Sequence, residues 1–365
     1  GISVKLYQLT NSQPKSKMKA SEGLSTGKYK FYTSSPIQSK YCDKAIYKNE
    51  ALIFGTGGNP SVHYCNEPFS TSTDCLVLYR NNDKVNLELI YYYLISNIHI
   101  LENGFKGAGL KHISANYILN ININLPNENV NEILNKIKLI EKLISKKREE
   151  LNKLKIAIKS RFVEMFGDPI QNPKGWIMTT IGDIVTEVKY GTSRPAVEGG
   201  KYPYLRMNNI TYDGHLDLTE LKRVDIPDDE VEKCIVYNGD VLFNRTNSIE
   251  LVGKTCVFNE AEAMIIAGYI IRIRLKQEML PLVLSCFMNT DALKKKLRGI
   301  AKGAVNQANI NAQELQAIDI YVPPIELQEQ FAEFVEKVDK SKFEVQKSLE
   351  KLELLKKSLM QKYFS

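Results

Sequence analysis

Histidine is scarce in this chain, with four in 365 residues, and tryptophan occurs once. The six cysteines, Cys42, Cys65, Cys75, Cys234, Cys256 and Cys286, include no CxxC pair. Zinc fingers and knuckles need closely spaced Cys and His ligands, so they are disfavoured. His63 and Cys65 form a lone HxC, a pattern that arises more often by accident than by metal binding. No apolar run is long enough to span a membrane. Scattered cysteines without a signal peptide predict reduced, buried thiols and a cytoplasmic protein. The chain opens on Gly1 rather than Met, which suggests either an added leading residue or a truncated start.

Catalytic signatures are missing too. An adenine methyltransferase would need an Asp/Asn-Pro-Pro-aromatic loop and a glycine-rich cofactor loop. The one Pro-Pro, Pro323-Pro324, is followed by Ile and Glu. Gly55-Thr56-Gly57-Gly58 lacks the GxGxxG spacing and a following long helix. There is no Walker lysine motif, and Pro227-Asp228 is not followed by Glu-x-Lys as a common nuclease core would require. Four histidines offer no Ser-His-Asp order. The chain therefore reads as one without an active site.

What is present begins with a modest basic excess, a net charge of +7, which favours a polyanionic partner without deciding it. Hydrophobic residues at 43% and charged residues at 25% are ordinary for a globular protein.

The most informative feature is an internal repeat. Residues 106–126 and 302–323 both begin Lys-Gly-Ala, reach an isoleucine (Ile113, Ile310), and end in alternating apolar and polar residues before a proline. The spacing from isoleucine to proline is the same, and one inserted residue near Val305 accounts for the rest. Upstream blocks follow in register: residues 49–54 with 238–243, 29–32 with 202–205, 87–97 with 280–290, and 4–9 with 179–184. Residues 52–54, 75–79, 241–243, 264–275 and 317–322 read as strands, and few helices are evident.

After each repeat comes a segment nearly without Gly or Pro. Ile133, Ile137, Ile140, Ile144, Leu151, Leu154, Ile158 and Met165 recur in steps of four and three, with Lys147 and Arg161 in the gaps. The second segment shows Leu327, Phe331, Phe334, Val338, Val345, Leu352, Leu355 and Leu359, with Ser341 and Ser348 in the gaps. Both are heptad seams. Pairing the two helices antiparallel would bury both stripes. The alternative is that each packs back on its own domain. Gly167-Asp168-Pro169 stops the first.

These features together resemble the specificity (S) subunit of type I restriction–modification enzymes, over essentially the whole length. The resemblance rests on the tandem domains with their helices, on Gly-Asp-Val-Leu-Phe at 239–243, on the stretch 303–311, on Val322-Pro323-Pro324 and on residues 326–330. Phe166-Gly167-Asp168-Pro169, followed by Asn172-Pro173-Lys174-Gly175-Trp176, is similar to the family's junction into a second domain. The first half departs, with Asn49-Glu50-Ala51 where the second has Asn238-Gly239-Asp240, and Leu110-Lys111-His112 where a Gln matching Gln307 would stand.

The resemblance implies an α+β fold, with two β-rich target-recognition domains in tandem, each followed by a long helix. The helices would pair as an antiparallel coiled coil with pseudo-twofold symmetry. The expected divisions are residues 1–126 and 169–323 for the domains, 127–168 and 324–365 for the helices. It implies a non-catalytic subunit whose domains each read one half of a bipartite site in double-stranded DNA. Two methyltransferase (M) subunits would methylate adenine using S-adenosylmethionine that they bind themselves, so that this chain holds no cofactor. Restriction/translocase (R) subunits are further partners. About 40 helical residues at about 1.5 Å each span roughly 60 Å, or near 17 base pairs at about 3.4 Å per pair. A coiled-coil adaptor with two protein-binding domains is the rival from another class. The detached specificity half of a fused restriction enzyme is a second.

Arg suits guanine edges, and Asn and Gln suit adenine. The segment after the 241–243 strand, Asn244, Arg245, Asn247 and Ser248, combines both chemistries. Its counterpart at 55–61 offers Thr56, Asn59 and Ser61, where glycines either allow close DNA approach or only make a tight turn. Arg206, Asn208 and Asn209 form another cluster, with Arg194 and Lys189 as phosphate contacts. The Lys-Gly-Ala loops add Lys106, Lys111 and His112 in one half, and Lys302, Asn306, Gln307 and Asn309 in the other. They either touch DNA or shape the contact with the methyltransferase. Lys294, Lys295, Lys296 and Arg298 read as a solvated helix face first and a phosphate site second. Tyr91-Tyr92-Tyr93 reads as half core and half surface.

Overall fold

A computed structural model describes residues 3–126, 129–304 and 306–365. The expected helix start at Asn127 and the insertion at Val305 lie outside the described residues. The chain divides into two compact units, one of Gly1–Arg148 with Lys347–Ser365 and one of Glu149–Gln346.

In the first unit, Ser3–Lys5 pairs antiparallel with Asn122–Asn124, closing the domain's start onto its end. A four-stranded antiparallel sheet runs in the order Thr10–Ser12, Cys75–Arg80, Ala51–Gly55, Ser61–Cys65. A second sheet has Tyr29–Tyr32 at its centre, antiparallel to Lys40–Cys42 and parallel to Phe69–Thr71. All five residues of Ala51–Gly55 are buried. Side chains alternate across a strand, so Leu52 and Phe54 enter a core with Leu87, Leu94 and Ile118. Ala51 and Ile53 enter another with Tyr32, Phe69 and Val77. Two cores, one on each face, explain an apolar run without alternation. Tyr92 and Tyr93 are buried and Tyr91 is partly so.

The second unit repeats this plan. Ile177–Thr180 pairs with Asp319–Val322. One sheet runs Val185–Tyr190, Ile270–Leu275, Val241–Asn244, Thr255–Val257. In another, Tyr202–Leu205 is antiparallel to Lys222–Val224 and parallel to Met264–Ile266. The central strand again divides its side chains, Val241 and Phe243 into one core and Leu242 into another. Every block matched by sequence thus occupies an equivalent element. Residues 264–275 are not one strand, however. Met264–Ile266 and Ile270–Leu275 lie in different sheets, separated at Ala267-Gly268-Tyr269.

The long helices are Val130–Phe166 and Ile325–Phe364. The first ends at Gly167, whose φ of 82° needs a residue without a Cβ penalty. Tyr321 Oη donates to the Gly167 carbonyl at 2.7 Å and Trp176 Nε1 to that of Phe166 at 2.8 Å, satisfying carbonyls the helix leaves open. The second starts beside Gln328, fully buried, whose amide donates to the carbonyls of Pro323 and Glu278 and accepts from Leu280 N–H.

Within each unit the helices pack antiparallel. In the first unit Ile140 and Ile144 meet Leu349, flanked by Glu141–Lys356 at 2.9 Å and Arg148–Glu353 at 2.8 Å. In the second, Phe162 and Phe166 meet Phe331 edge-on, with ring centroids 5.5 and 5.4 Å apart. The helices also pack on their domains, since Ile133, Leu134 and Ile137 enter the first unit's core. The expected seam of the second helix is half corrected. Phe331, Val338 and Val345 are buried and Leu352 and Leu359 half buried, as expected, but the alternate places belong to Val335 and Leu349, while Leu355 is 49% exposed. The true steps are four then three (331, 335, 338, 342, 345, 349, 352), which puts Lys342 and Lys356 on the seam. Among the described residues, no helix is long and apolar enough to cross a membrane, and no group of His, Cys, Asp and Glu could hold a metal ion.

Candidate nucleic-acid interface

In the second unit the central strand delivers Arg245 into a small three-stranded sheet. Thr246–Asn247 pairs with Gln307–Asn309, and this with Lys302–Ala304. The Arg245 guanidinium is half buried. Nε donates to the Gly268 carbonyl at 2.7 Å, Nη1 to Asn309 Oδ1 at 2.9 Å, and Cζ stands 4.8 Å above the Tyr190 ring. Tyr190 is itself fixed, its hydroxyl accepting from Ala312 N–H at 2.7 Å. Thr246 Oγ1 shares Asn309 Oδ1 at 2.8 Å. Of the five guanidinium N–H donors, two are taken, so the group is aimed while donors remain. Tyr190 and Gly268 were not singled out from sequence; an aromatic beside Lys189 was the available signal.

Several expected readers are scaffold instead. Asn244 is fully buried, donating to the Thr246 and Tyr269 carbonyls and accepting from Asn247 at 3.0 Å. Asn247, half buried, also accepts from Ser248 N–H. Asn209 is 1% exposed, accepting from Arg206 N–H and donating to the Asp217 carbonyl, both at 2.8 Å. Ser61 is buried in its strand, and a Cβ on Gly55 would meet its hydroxyl. These side chains are committed to backbone groups in turns, to one another or to a sheet face.

The remaining candidates stand outward. Asn208, Asn306, Gln307 and Lys189 are exposed, and Arg206 and Ser248 half buried. Arg194 is exposed but held by both oxygens of Glu230, at 3.1 and 2.8 Å. Lys302 bonds Glu314 at 2.8 Å, which raises the ammonium pKa and lowers the carboxyl's. Lys294 is corrected outright. It is 7% exposed, donates to the Tyr212 carbonyl and stands 3.3 Å over the Tyr212 ring, and burial pushes its pKa down to about 8.

The first unit rebuilds the frame with other side chains. Ile113 N–H donates to the Thr56 carbonyl at 3.0 Å, as Ile310 N–H does to that of Arg245 at 2.9 Å. Thr56 N–H donates to Asp74, as Arg245 N–H does to Tyr269. Lys106 bridges His112 as Lys302 faces Asn309. Thr56 thus occupies the place of Arg245, and His112 that of Asn309. Gly57 bridges His112, and Gly58, with φ of 76°, donates to the Lys111 carbonyl at 3.0 Å. Asn59, Lys106, Lys111 and His112 are all exposed around this turn.

Residues 3–155 and 173–356 match the model of the type I restriction modification DNA specificity domain. The chain is 30% identical over 197 residues to the putative type I restriction enzyme MjaX specificity subunit of Methanocaldococcus jannaschii, a stretch covering 53% of this chain and 46% of that relative. It is 24% identical over 189 residues to the type I restriction enzyme EcoKI specificity subunit of Escherichia coli, covering 50% and 40%. The matches thus span less than half the length of these relatives. Among solved structures, the S subunit of a type I restriction–modification system from M. genitalium superposes with a TM-score of 0.61 at 16% identity, covering 100% of this chain and 96% of that one. A chain solved for complex assembly and conformational transition of the type I R-M system gives 0.58 at 17%, covering 100% and 97%. At such identities the superpositions speak for the fold alone, but the family match spans nearly the whole sequence, and this chain belongs to the type I restriction modification DNA specificity domain family, with two such domains in tandem.

Proposed function

We propose that this chain is the DNA-specificity subunit of a type I restriction–modification complex, each domain reading one half of a bipartite double-stranded site. The observation that carries this reading is the shared frame. The same backbone bonds hold Thr56 in one unit and Arg245 in the other, with His112 and Asn309 opposite. A constant frame with exchanged side chains is what two readers of different sequences need. Basic groups around it, Lys106 and Lys111 in one unit and Lys189 and Lys302 in the other, supply phosphate contacts.

The chain itself is non-catalytic in this reading. Two methyltransferase subunits dock on it and methylate adenine with S-adenosylmethionine that they bind. Restriction/translocase subunits join as further partners, in the cytoplasm. The long helices set the spacer between half-sites. Sequencing methylated adenines in cells carrying the intact system tests this. One bipartite motif is expected, and inserting one heptad into both helices should lengthen its spacer alone, since seven residues preserve the seam. A motif that is not split, or methyl transfer by the purified chain without partners, would refute it.

A further inference from the structure

The second unit has a partly open cavity of about 290 Å³ between residues from Lys155 onward in the first long helix, the loop at 213–216, the helix Pro281–Met288 and the second long helix. Ile158, Phe162, Leu282 and Val335 give it apolar walls. Lys155, Lys159 and Lys342 bring ammonium groups to the same lining, against Asp213, Glu260 and Asp339.

Lys342 is the telling residue. It occupies a seam position of the second helix, three residues before Val345 and four after Val338, where an apolar side chain packs best. Its side chain is only 14% exposed, and its ion pair is a long one, 3.6 Å to an Asp339 that is 50% exposed. Asp213 is already shared between Lys155 at 3.6 Å and His215 at 3.7 Å. Asn289 adds a second demand. It is 8% exposed, its amide donates to the Thr255 carbonyl at 2.8 Å, and its Oδ1 has no partner among the described residues. A lysine whose side chain is largely covered, with one loose partner, and a buried acceptor without any are both costly unless something completes them. The cavity is at the small end of ligand pockets, with room for one or two rings.

We propose that this cavity is a binding site for a small aromatic carboxylic acid, its ring body against Phe162, Ile158 and Leu282 and its carboxylate on Lys342. The site is separate from the residues assigned to DNA, so the inference stands whether or not that reading holds. The test is titration of the full chain, by calorimetry and ligand-detected NMR, with benzoate, indole-3-acetate and indole-3-propionate, and with the neutral indole-3-acetamide. Saturable one-to-one binding of at least one acid is expected, with the neutral amide at least tenfold weaker than indole-3-acetate. Lys342→Met, a substitution the seam accepts, should erase that difference. Leu282→Trp should fill the cavity and abolish binding, and Cys286→Phe does the same from the next turn if the first variant fails to fold. The proposal is overturned if no acid saturates at millimolar concentration, if acid and amide bind alike, or if a folded cavity-filling variant binds as the parent does.

Discussion

The seam register can be tested by one pair of substitutions. Leu349 and Leu355 are six residues apart on the same helix, and sequence spacing favours Leu355 for the seam, whereas the structure buries Leu349, at 6% exposure, and leaves Leu355 at 49%. Leu349 packs on Ile140 and Ile144 within the first unit. Truncating it loses the transfer energy of a buried leucine and leaves a cavity, so Leu349→Ala should cost about 3 kcal/mol. Leu355 already keeps half its surface in water, so Leu355→Ala should cost about 1 kcal/mol or less. Two compact units need not unfold together, and the single tryptophan, Trp176, separates them. Its fluorescence reports the second unit, while far-ultraviolet circular dichroism reports both. A urea transition seen by dichroism but not by fluorescence belongs to the first unit. At about 2–3 kcal/mol/M, Leu349→Ala should lower that midpoint by about 1–1.5 M. If Leu355→Ala shifts it as far or further, the register is wrong.

The interface gives further expectations. Arg245→Ala should weaken specific binding by about 1–3 kcal/mol and relax only the half-site read by the second domain. Asn309→Ala should do the same more mildly, because it frees the guanidinium that Asn309 aims. A panel of single-base variants in both half-sites checks both, and an unchanged preference profile would remove Arg245 from the reading surface. Lys302→Ala should weaken binding to all sequences alike and reduce the slope of log K against log salt by about one; an unchanged slope would leave Lys302 as no more than a partner of Glu314. Lys294 gives a pH signature. Its folded pKa of about 8 lies below the ordinary lysine value of 10.5, so the unfolded chain binds more protons between those limits and this residue's contribution to stability rises with pH from about 8 to 10.5. Lys294→Met should lack that rise in urea midpoints measured across the window, and parallel curves for parent and variant would refute the assignment.

The repeat was legible because it is a matter of order and spacing, and all five matched blocks occupy equivalent elements. The seam was legible at every seventh position, 331, 338, 345, 352 and 359, and misread between them. A heptad accepts either three then four or four then three, and the apolar Phe334 and Leu355 drew the choice the wrong way. What fixes the actual steps is tertiary. Lys356 reaches Glu141 across the pair, Val335 enters the second unit's core, and Phe334 instead lies under Arg161, 5.6 Å from its ring. Residues 264–275 read as one strand because apolar content does not record a change of sheet. Gly268 was the local sign of the break.

The sequence pointed to loops that the structure does bring together in each unit, but it did not say which of their side chains stand outward. Asn, Ser and Thr after a strand serve a turn or a ligand with the same donors and acceptors, and the sequence does not distinguish the two uses. Asn244, Asn209 and Ser61 turned out to serve the fold. Arg245 differs because its geometry is over-determined: a carbonyl, an amide oxygen and a ring hold it from three sides. Holding an arginine in one rotamer before it meets a base removes part of the ordering cost of binding, and it also restricts which base edge the remaining donors can address. Thr56, at the equivalent place, bonds Asp74 through both its backbone N–H and its hydroxyl, and projects nothing further. On the proposed reading, recognition in the first domain should fall to the exposed side chains around the turn, Asn59, Lys111 and His112. The two domains should differ in how specificity is distributed as well as in what they read. Base substitutions in the second half-site should be answered chiefly through Arg245, whereas no single alanine substitution at Asn59, Lys111 or His112 should relax the first half-site completely. Complete loss of preference from one of these three would show that the first domain has a single anchor too.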